Sequence, residues 1–471
     1  MAKINKETYC KRRSLLKNNF ESGLLLFLGN NEVGMNYTDN TYRFRQDSTF
    51  LYYFGLDNPG LAAIIDIDKD CEMVFGNELT IDDIVWTGTV PTLTERCQAV
   101  GINKTLPMQG LKQYLDLAQQ KKQPIHFLPP YRGNHSIWLW ELIGVEPAAQ
   151  TEKASVALIK AIVNQRNHKD EEEIRLIEEA VDLSTEMHLA AYSMVRPGIH
   201  ESQVAAVVEE VACRHGNTLA FPTIATIKGQ VLHNHGFIHK LNDGDIFLLD
   251  AGAETRYHYA GDLSSSMPVS EKFTERQAVV YEIQLRSFFA AVNNLKIGVP
   301  FRNAHIAAAT EIARGMKELG LMKGDPAEAA ECGAYALFFP CGLGHMMGLD
   351  VHDMENLGEQ YVGYADGQSK SKQFGFKSLR LARPLEKGFV FTIEPGIYFI
   401  PELMDKWEAE HQFTDFICYD RLRSWRDFTG LRNEMDYVMT DTGARLLGDI
   451  SKPMTIDEVY AAKNSPSTIH F

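Results

Sequence analysis

The sequence predicts a mixed α/β chain in two domains, and three observations carry that prediction. At 471 residues, 45% hydrophobic and 23% charged, the chain is too long for one core and has the composition of an ordinary globular protein. Short apolar runs that end on a single acidic residue read as buried strands, whereas Ile174, Ile177, Val181 and Ala191 recur at helical spacing. A charged junction near residues 155–170 divides the chain into domains at 1–160 and 161–471.

Taken in order, the elements begin with the aromatic-rich Tyr42-Arg-Phe-Arg-Gln-Asp-Ser-Thr-Phe-Leu-Tyr-Tyr-Phe-Gly-Leu, a strand or helix start that supplies core. A turn at Asn58-Pro-Gly and the strand-like Leu61-Ala-Ala-Ile-Ile-Asp follow. Ala154-Ser-Val-Ala-Leu-Ile leads into His168-Lys-Asp-Glu-Glu-Glu, whose acids suit a helix N-terminus favoured by the dipole. That helix runs toward Pro197-Gly198, and a second amphipathic helix follows Glu201. Ile246-Phe-Leu-Leu-Asp-Ala-Gly is a buried strand delivering Asp250 at its end. Ala260-Gly-Asp-Leu-Ser-Ser-Ser suits the next strand of an antiparallel hairpin, about 4.8 Å away, which brings Asp262 beside it. His345 lies in Cys341-Gly-Leu-Gly-His-Met-Met-Gly-Leu-Asp-Val-His-Asp, where glycines permit backbone conformations other residues resist. Glu394 closes Phe389-Val-Phe-Thr-Ile-Glu ahead of Pro395-Gly396. Glu434 lies in Leu431-Arg-Asn-Glu-Met-Asp-Tyr-Val, where alternation puts Arg432, Glu434 and Asp436 on one face.

Asp250, Asp262, His345, Glu394 and Glu434 together have the composition of a two-metal hydrolytic site. A single aspartate at a strand end is more often a turn cap than a ligand. Four carboxylates converging in an interior, however, would repel one another and hold their protons unless divalent cations neutralised them. Two ions about 3.5–4 Å apart can activate a water and polarise a carbonyl. Oxygen-rich ligation with one imidazole favours manganese, with zinc, cobalt and iron as alternatives.

These frames, Leu249-Asp-Ala-Gly, Gly261-Asp, Gly342-Leu-Gly-His with Asp350-Val-His-Asp, Thr392-Ile-Glu-Pro-Gly-Ile-Tyr and Arg432-Asn-Glu, resemble the motifs of the proline-specific metallopeptidases, aminopeptidase P and prolidase. The resemblance implies a pita-bread catalytic domain over 161–471. It also implies an aminopeptidase P-like α/β domain over 1–160, because the stretch from Tyr42 to Asp66 is similar to that family's N-terminal domain. By the same resemblance Asp262 and Glu434 bridge both ions, Asp250 completes one, and His345 with Glu394 completes the other. Glu394 also moves the proton. His233, in Val231-Leu-His-Asn-His, and His352 match family histidines beside the scissile bond and the substrate carbonyl. Arg380, in Ser378-Leu-Arg-Leu-Ala-Arg, matches the arginine that takes the substrate carboxylate in prolidases. Arg432 is read as orienting the ligands, or as a plain salt bridge to Asp436 or another acid. Two departures stand out: Cys341 occupies a position where the family has histidine, and Asp250 and Asp262 are one residue further apart than usual, which a longer hairpin loop or bulge would absorb.

The implied activity is removal of an N-terminal residue that precedes proline (Xaa-Pro aminopeptidase), the alternative being a prolidase restricted to dipeptides. A second class, a non-catalytic pita-bread binding module, would be expected to have lost ligands, and all five are present. The partners implied are proline-containing peptides and further copies of the chain, as a homodimer or higher oligomer. A net charge of -15 without a basic stripe argues against nucleic acid and anionic membrane. Met1-Ala-Lys-Ile-Asn-Lys is polar and no apolar stretch is long enough for export or for spanning a bilayer, so a cytoplasmic location is expected. Seven scattered cysteines without Cys-x-x-Cys pairs suit reduced thiols.

Overall fold

The computed structural model describes residues 4–465 and divides into two units. The first comprises the chain up to Arg166 together with Met354–Tyr361; the second comprises Asn167–Asp353 and the chain from Val362 onward. Among the described residues no helix is long and apolar enough to cross a membrane, and all seven cysteines are free thiols.

The first unit is built on a five-stranded sheet of β1 (Leu24–Leu28), β2 (Ala62–Asp66), β3 (Cys71–Phe75), β4 (Thr105–Leu106) and β5 (Ile125–His126) in the order β4-β3-β2-β1-β5. β1, β2 and β3 pair antiparallel, and the two edge strands join in parallel. β1 is an unbroken apolar run and β2 is buried throughout, as expected for strands covered on both faces. The aromatic stretch resolves into a helix, Ser48–Phe54, capped by Asp47 accepting from Phe50 N–H, with every residue buried; Tyr42 stays 58% exposed. Arg13, fully buried, fixes the helix Lys6–Lys17 by pairing with Glu72 (2.5 Å) and donating to Tyr53 O (2.8 Å) and Val100 O (2.9 Å). Asn356, from the segment that returns to this unit, lines a small cavity with Leu26, Phe27 and His135.

In the second unit a similar order occurs twice: a pair of long helices followed further along the chain by an antiparallel three-stranded sheet. The helices Glu171–Met194 and Glu201–Arg214 precede β6 (Thr218–Leu219), β7 (Ile224–Thr226), β8 (Ile246–Ala251), β9 (Ala253–Glu254) and β10 (Leu263–Pro268). The sheet is β10-β8-β7, and β6 pairs with β9. The helices Glu275–Val292 and Phe301–Glu318 precede β11 (Val390–Ile393), β12 (Gly396–Tyr398), β13 (Gly430–Arg432), β14 (Met435–Thr440) and β15 (Gly443–Leu446), with the sheet β11-β14-β15 and the pair β12-β13. This repetition has no counterpart in the residue pattern. The acidic run caps its helix as its position suggests: Asp170 accepts from Glu173 N–H and Glu173 reaches back to Asp170 N–H. Leu176, Ile177, Val181 and Met187 are buried on that helix, each stabilising the fold by about 1.5–3 kcal/mol.

Candidate metal centre

Two paired strands deliver the first two carboxylates. Asp250 on β8 pairs across to Ser264 on β10, and Asp262 lies one residue ahead of β10. The connecting turn closes through Thr255 N–H donating to Tyr259 O (3.0 Å) and holds His258 at φ 67°. Gly261 is dictated by close approach, since a Cβ there would stand 2.7 Å from Ser184 Oγ and 2.8 Å from Ala180 backbone atoms of the helix behind it.

His345 and Glu394 arrive together because the glycine-rich loop runs alongside β11. Thr392 N–H donates to His345 O (3.0 Å), His345 N–H to Thr392 Oγ1 (3.2 Å), and Glu394 N–H to Leu343 O (2.8 Å). A Cβ on Gly344 would lie 2.0 Å from Thr392 O, so only glycine permits this alignment. Glu434, between β13 and β14, is fixed to β10: its N–H donates to Ser264 O (3.1 Å) and its Oε2 accepts from Ser264 Oγ (2.6 Å).

Donor atoms of Asp262, His345 and Glu434 all lie within 4.8 Å of one another. His345 Nε2 is 3.3 Å from Asp262 Oδ2 and 3.6 Å from Glu394 Oε1. Its Nδ1 is 3.1 Å from Met346 O; with the proton assigned to Nδ1, Nε2 is the ring nitrogen turned toward Asp262 and Glu394. Asp250 is held differently. Its Oδ2 accepts from Arg432 Nη2, while its buried Oδ1 has no hydrogen-bond partner among the described residues.

Burial pushes Asp250 and Asp262 up to about 6, against the pull of Arg432 and His352. Glu434 is driven well above the usual carboxylate range by burial and by the charges of Asp262, Glu394 and Asp250. Glu394 is raised by burial against the pull of His345 and Arg432. Arg432 offsets only one of these four buried carboxylates directly, so ionising all of them calls for further positive charge. The donor set, carboxylate oxygens with one imidazole nitrogen and an orphaned buried oxygen on Asp250, fits divalent metal.

All ten residues singled out from the sequence line one cavity of about 270 Å³: the five candidate ligands with His233, Cys341, His352, Arg380 and Arg432. The His352 ring centroid is 4.1 Å from that of His345 at 62°. Burial, then repulsion from Arg432, His235, Arg380 and His352, pushes His233 down and favours its neutral ring. Burial pushes the Cys341 thiol up to about 12, with the Glu394 charge adding to it. An apolar wall of Phe221, Pro222, Ile224, Leu232 and Val351 completes the cavity.

Arg432 pairs with one of the candidate ligands, an acid other than Asp436, but not through strand alternation. The strand breaks at Asn433-Glu434, so alternation does not carry through; Arg432 pairs with Asp250 rather than Asp436 and donates to Tyr398 OH and Ser264 Oγ, both at 2.8 Å. Asp436 Oδ2 instead accepts Asp262 N–H (3.0 Å). Sequence reasoning missed Ser264, Tyr398 and Lys452. Ser264, Ser265 and Ser266 are all fully buried on one strand, and three consecutive polar residues where a core strand wants apolar ones are the signal of a hydrogen-bond network. Lys452 donates to Ser264 O (2.8 Å), and burial pulls it down to about 7 against the charges of Glu434 and Asp436. Nothing in its local sequence marks it.

The model of metallopeptidase family M24 matches residues 175–441, and that of the aminopeptidase P N-terminal domain matches residues 9–126. A human Xaa-Pro dipeptidase is 30% identical over 97% of this chain and 92% of its own length. A probable Xaa-Pro aminopeptidase of Botryotinia fuckeliana is 26% identical over 89% of this chain and 88% of its own. Among solved structures, the aminopeptidase PepP of Pseudomonas aeruginosa superposes with a TM-score of 0.80 at 24% identity, covering 98% of this chain and 99% of that one, a likeness of fold.

Proposed function

This chain belongs to metallopeptidase family M24, and from that premise we propose that it is a divalent-metal exopeptidase that hydrolyses the bond between an N-terminal residue and a following proline. The observation that supports the reading most is the convergence of Asp262, His345 and Glu434 donor atoms within 4.8 Å, in a cavity that also receives Asp250 and Glu394. Hydrolysis of Xaa-Pro-Xaa peptides beside Xaa-Pro dipeptides, with manganese present, tests it. Turnover of at least one class is expected, and none on either would overturn the proposal.

Asp250, Asp262, His345, Glu394 and Glu434 would hold two divalent ions, manganese by preference. When bound, such ions supply Lewis acidity toward the scissile carbonyl and lower the pKa of a water. The chain's own groups do the rest. Arg432 and Ser264 hold the carboxylates of Asp250 and Glu434 in place, which the arrangement of hydrogen bonds supports. Glu394 carries a proton between water and leaving amine. The neutral His233 ring and His352 donate hydrogen bonds to the substrate as charge develops on its carbonyl. Arg380 takes a substrate carboxylate with its planar fork.

Restriction to dipeptides is favoured by one observation, the human Xaa-Pro dipeptidase relative that aligns along 97% of this chain. The relative rates on the two peptide classes separate the readings. Catalysis is assigned to 161–471, with 1–160 as the aminopeptidase P-type domain; the protein is assigned to the cytoplasm, acting as a homodimer or larger homo-oligomer.

Cys341 replaces a histidine of the family, and its protonated thiol beside Glu394 donates only weakly. If this position tunes catalysis, Cys341→His raises kcat/KM on proline peptides and shifts metal preference away from zinc. If the thiol only fills space, Cys341→Ala leaves the kinetics unchanged and lowers Tm. Steady-state kinetics with metal titration of both variants read the difference.

A further inference from the structure

The chain from Ile227 to His239 connects β7 to β8, contains neither helix nor strand, and brings Leu232, His233 and His235 to the cavity wall. An irregular segment of this length should wander unless something closes it. One carboxylate does so. Glu201, the first residue of the helix Glu201–Arg214, is 0% exposed. Its Oε1 accepts from Ile227 N–H and from Thr226 Oγ1, both at 2.9 Å. Its Oε2 accepts from His239 N–H at 2.9 Å, and His239 Nδ1 lies at the same distance from that oxygen. Glu201 N–H in turn donates to His239 O (3.0 Å). The grip extends inward, because Thr226 Oγ1 also accepts from Asn234 Nδ2 (3.0 Å), the residue next to His233.

We infer that Glu201 is a positioning residue: by clamping both ends of the Ile227–His239 loop with one buried carboxylate, it holds His233 at the cavity wall in the orientation the reaction needs. Glu201 does not line the cavity. It acts on the substrate only through the loop. The inference rests on the proline-peptidase reading, and its test is arranged so that the two fail separately.

Glu201→Gln preserves size but replaces one acceptor oxygen with an NH2 group. Whichever way the amide turns, a donor then meets donors at one end of the loop. The clamp predicts that kcat on proline peptides falls about tenfold or more while manganese affinity stays within about twofold of wild type. Hydrogen exchange at the Ile227 and His239 amides should speed up. In a His233→Ala background the same substitution should add less than about twofold, because its route to the substrate has already been removed. Two results overturn the inference: an equal loss from Glu201→Gln in the wild-type and His233→Ala backgrounds, or an unchanged kcat accompanied only by a lower Tm. If Glu201→Gln does not fold, Thr226→Val, which removes one hydroxyl of the grip, replaces it in the same cycle with the same outcomes. Should wild type cleave no proline peptide, the activity reading fails by itself. Exchange at Ile227 and His239 then decides the clamp, and unchanged exchange sinks it.

Discussion

Asp262→Ala and Glu434→Ala are each expected to lower kcat/KM on proline peptides about a thousandfold or more, the effect of losing roughly 4 kcal/mol of transition-state stabilisation. Chelation of the wild type should do the same, with manganese restoring activity. Both residues belong to the cluster whose donor atoms lie within 4.8 Å of one another, so each loss removes a donor from the place where metal would bind. A pH signature accompanies the kinetics. In the metal-free protein Asp250 and Asp262 titrate near 6, above their values in an unfolded chain, so the folded state binds more protons between about pH 4 and 6. Stability of the chelated protein should therefore fall as pH rises through that window. Metal, replacing those protons as the neutralising charge, should flatten the curve. Thermal melts from pH 4 to 8 with chelator and with manganese check this, and near wild-type turnover by either variant would remove the assignment.

Arg380→Ala is expected to act selectively. If its guanidinium takes the free carboxylate that a dipeptide places next to the prolyl ring, the variant loses a charge-assisted hydrogen bond worth about 1.5–3 kcal/mol. That corresponds to roughly ten- to a hundredfold in kcat/KM on Xaa-Pro dipeptides. Xaa-Pro-Xaa substrates, whose carboxylate lies further along, should lose little. Parallel kinetics on the two classes provide the measurement. Equal losses would make Arg380 a structural residue and favour the aminopeptidase reading over the dipeptidase one.

The five candidate ligands were legible in the sequence because each terminates a frame that is otherwise apolar or glycine-rich, and a carboxylate in such a frame needs a partner. The strands delivering Asp250 and Asp262 were legible for the same reason. What held those ligands was not. Ser264 touches Glu434 and Arg432 across 170 and 168 residues of chain, and Lys452 reaches Ser264 across 188, so no window of sequence contains these contacts. Arg432 shows the limit of periodicity: alternation assumes a continuous strand, and the break at Asn433-Glu434 turned its guanidinium to Asp250. The buried Ser48–Phe54 segment shows another, since seven buried residues carry no amphipathic stripe with which to tell helix from strand.

The return of Met354–Tyr361 to the first unit sets an order on synthesis. That unit's chain is interrupted after Arg166, and its last residues are made only after all of Asn167–Asp353. At translation rates of about 5–20 residues per second, the ribosome needs on the order of ten to forty seconds to reach them. During that interval all five strands of the sheet β4-β3-β2-β1-β5 have been made but the unit's last segment has not, and the stretch carrying Glu394 and Glu434 is still to come. The two halves thus mature as interleaved rather than successive products of translation.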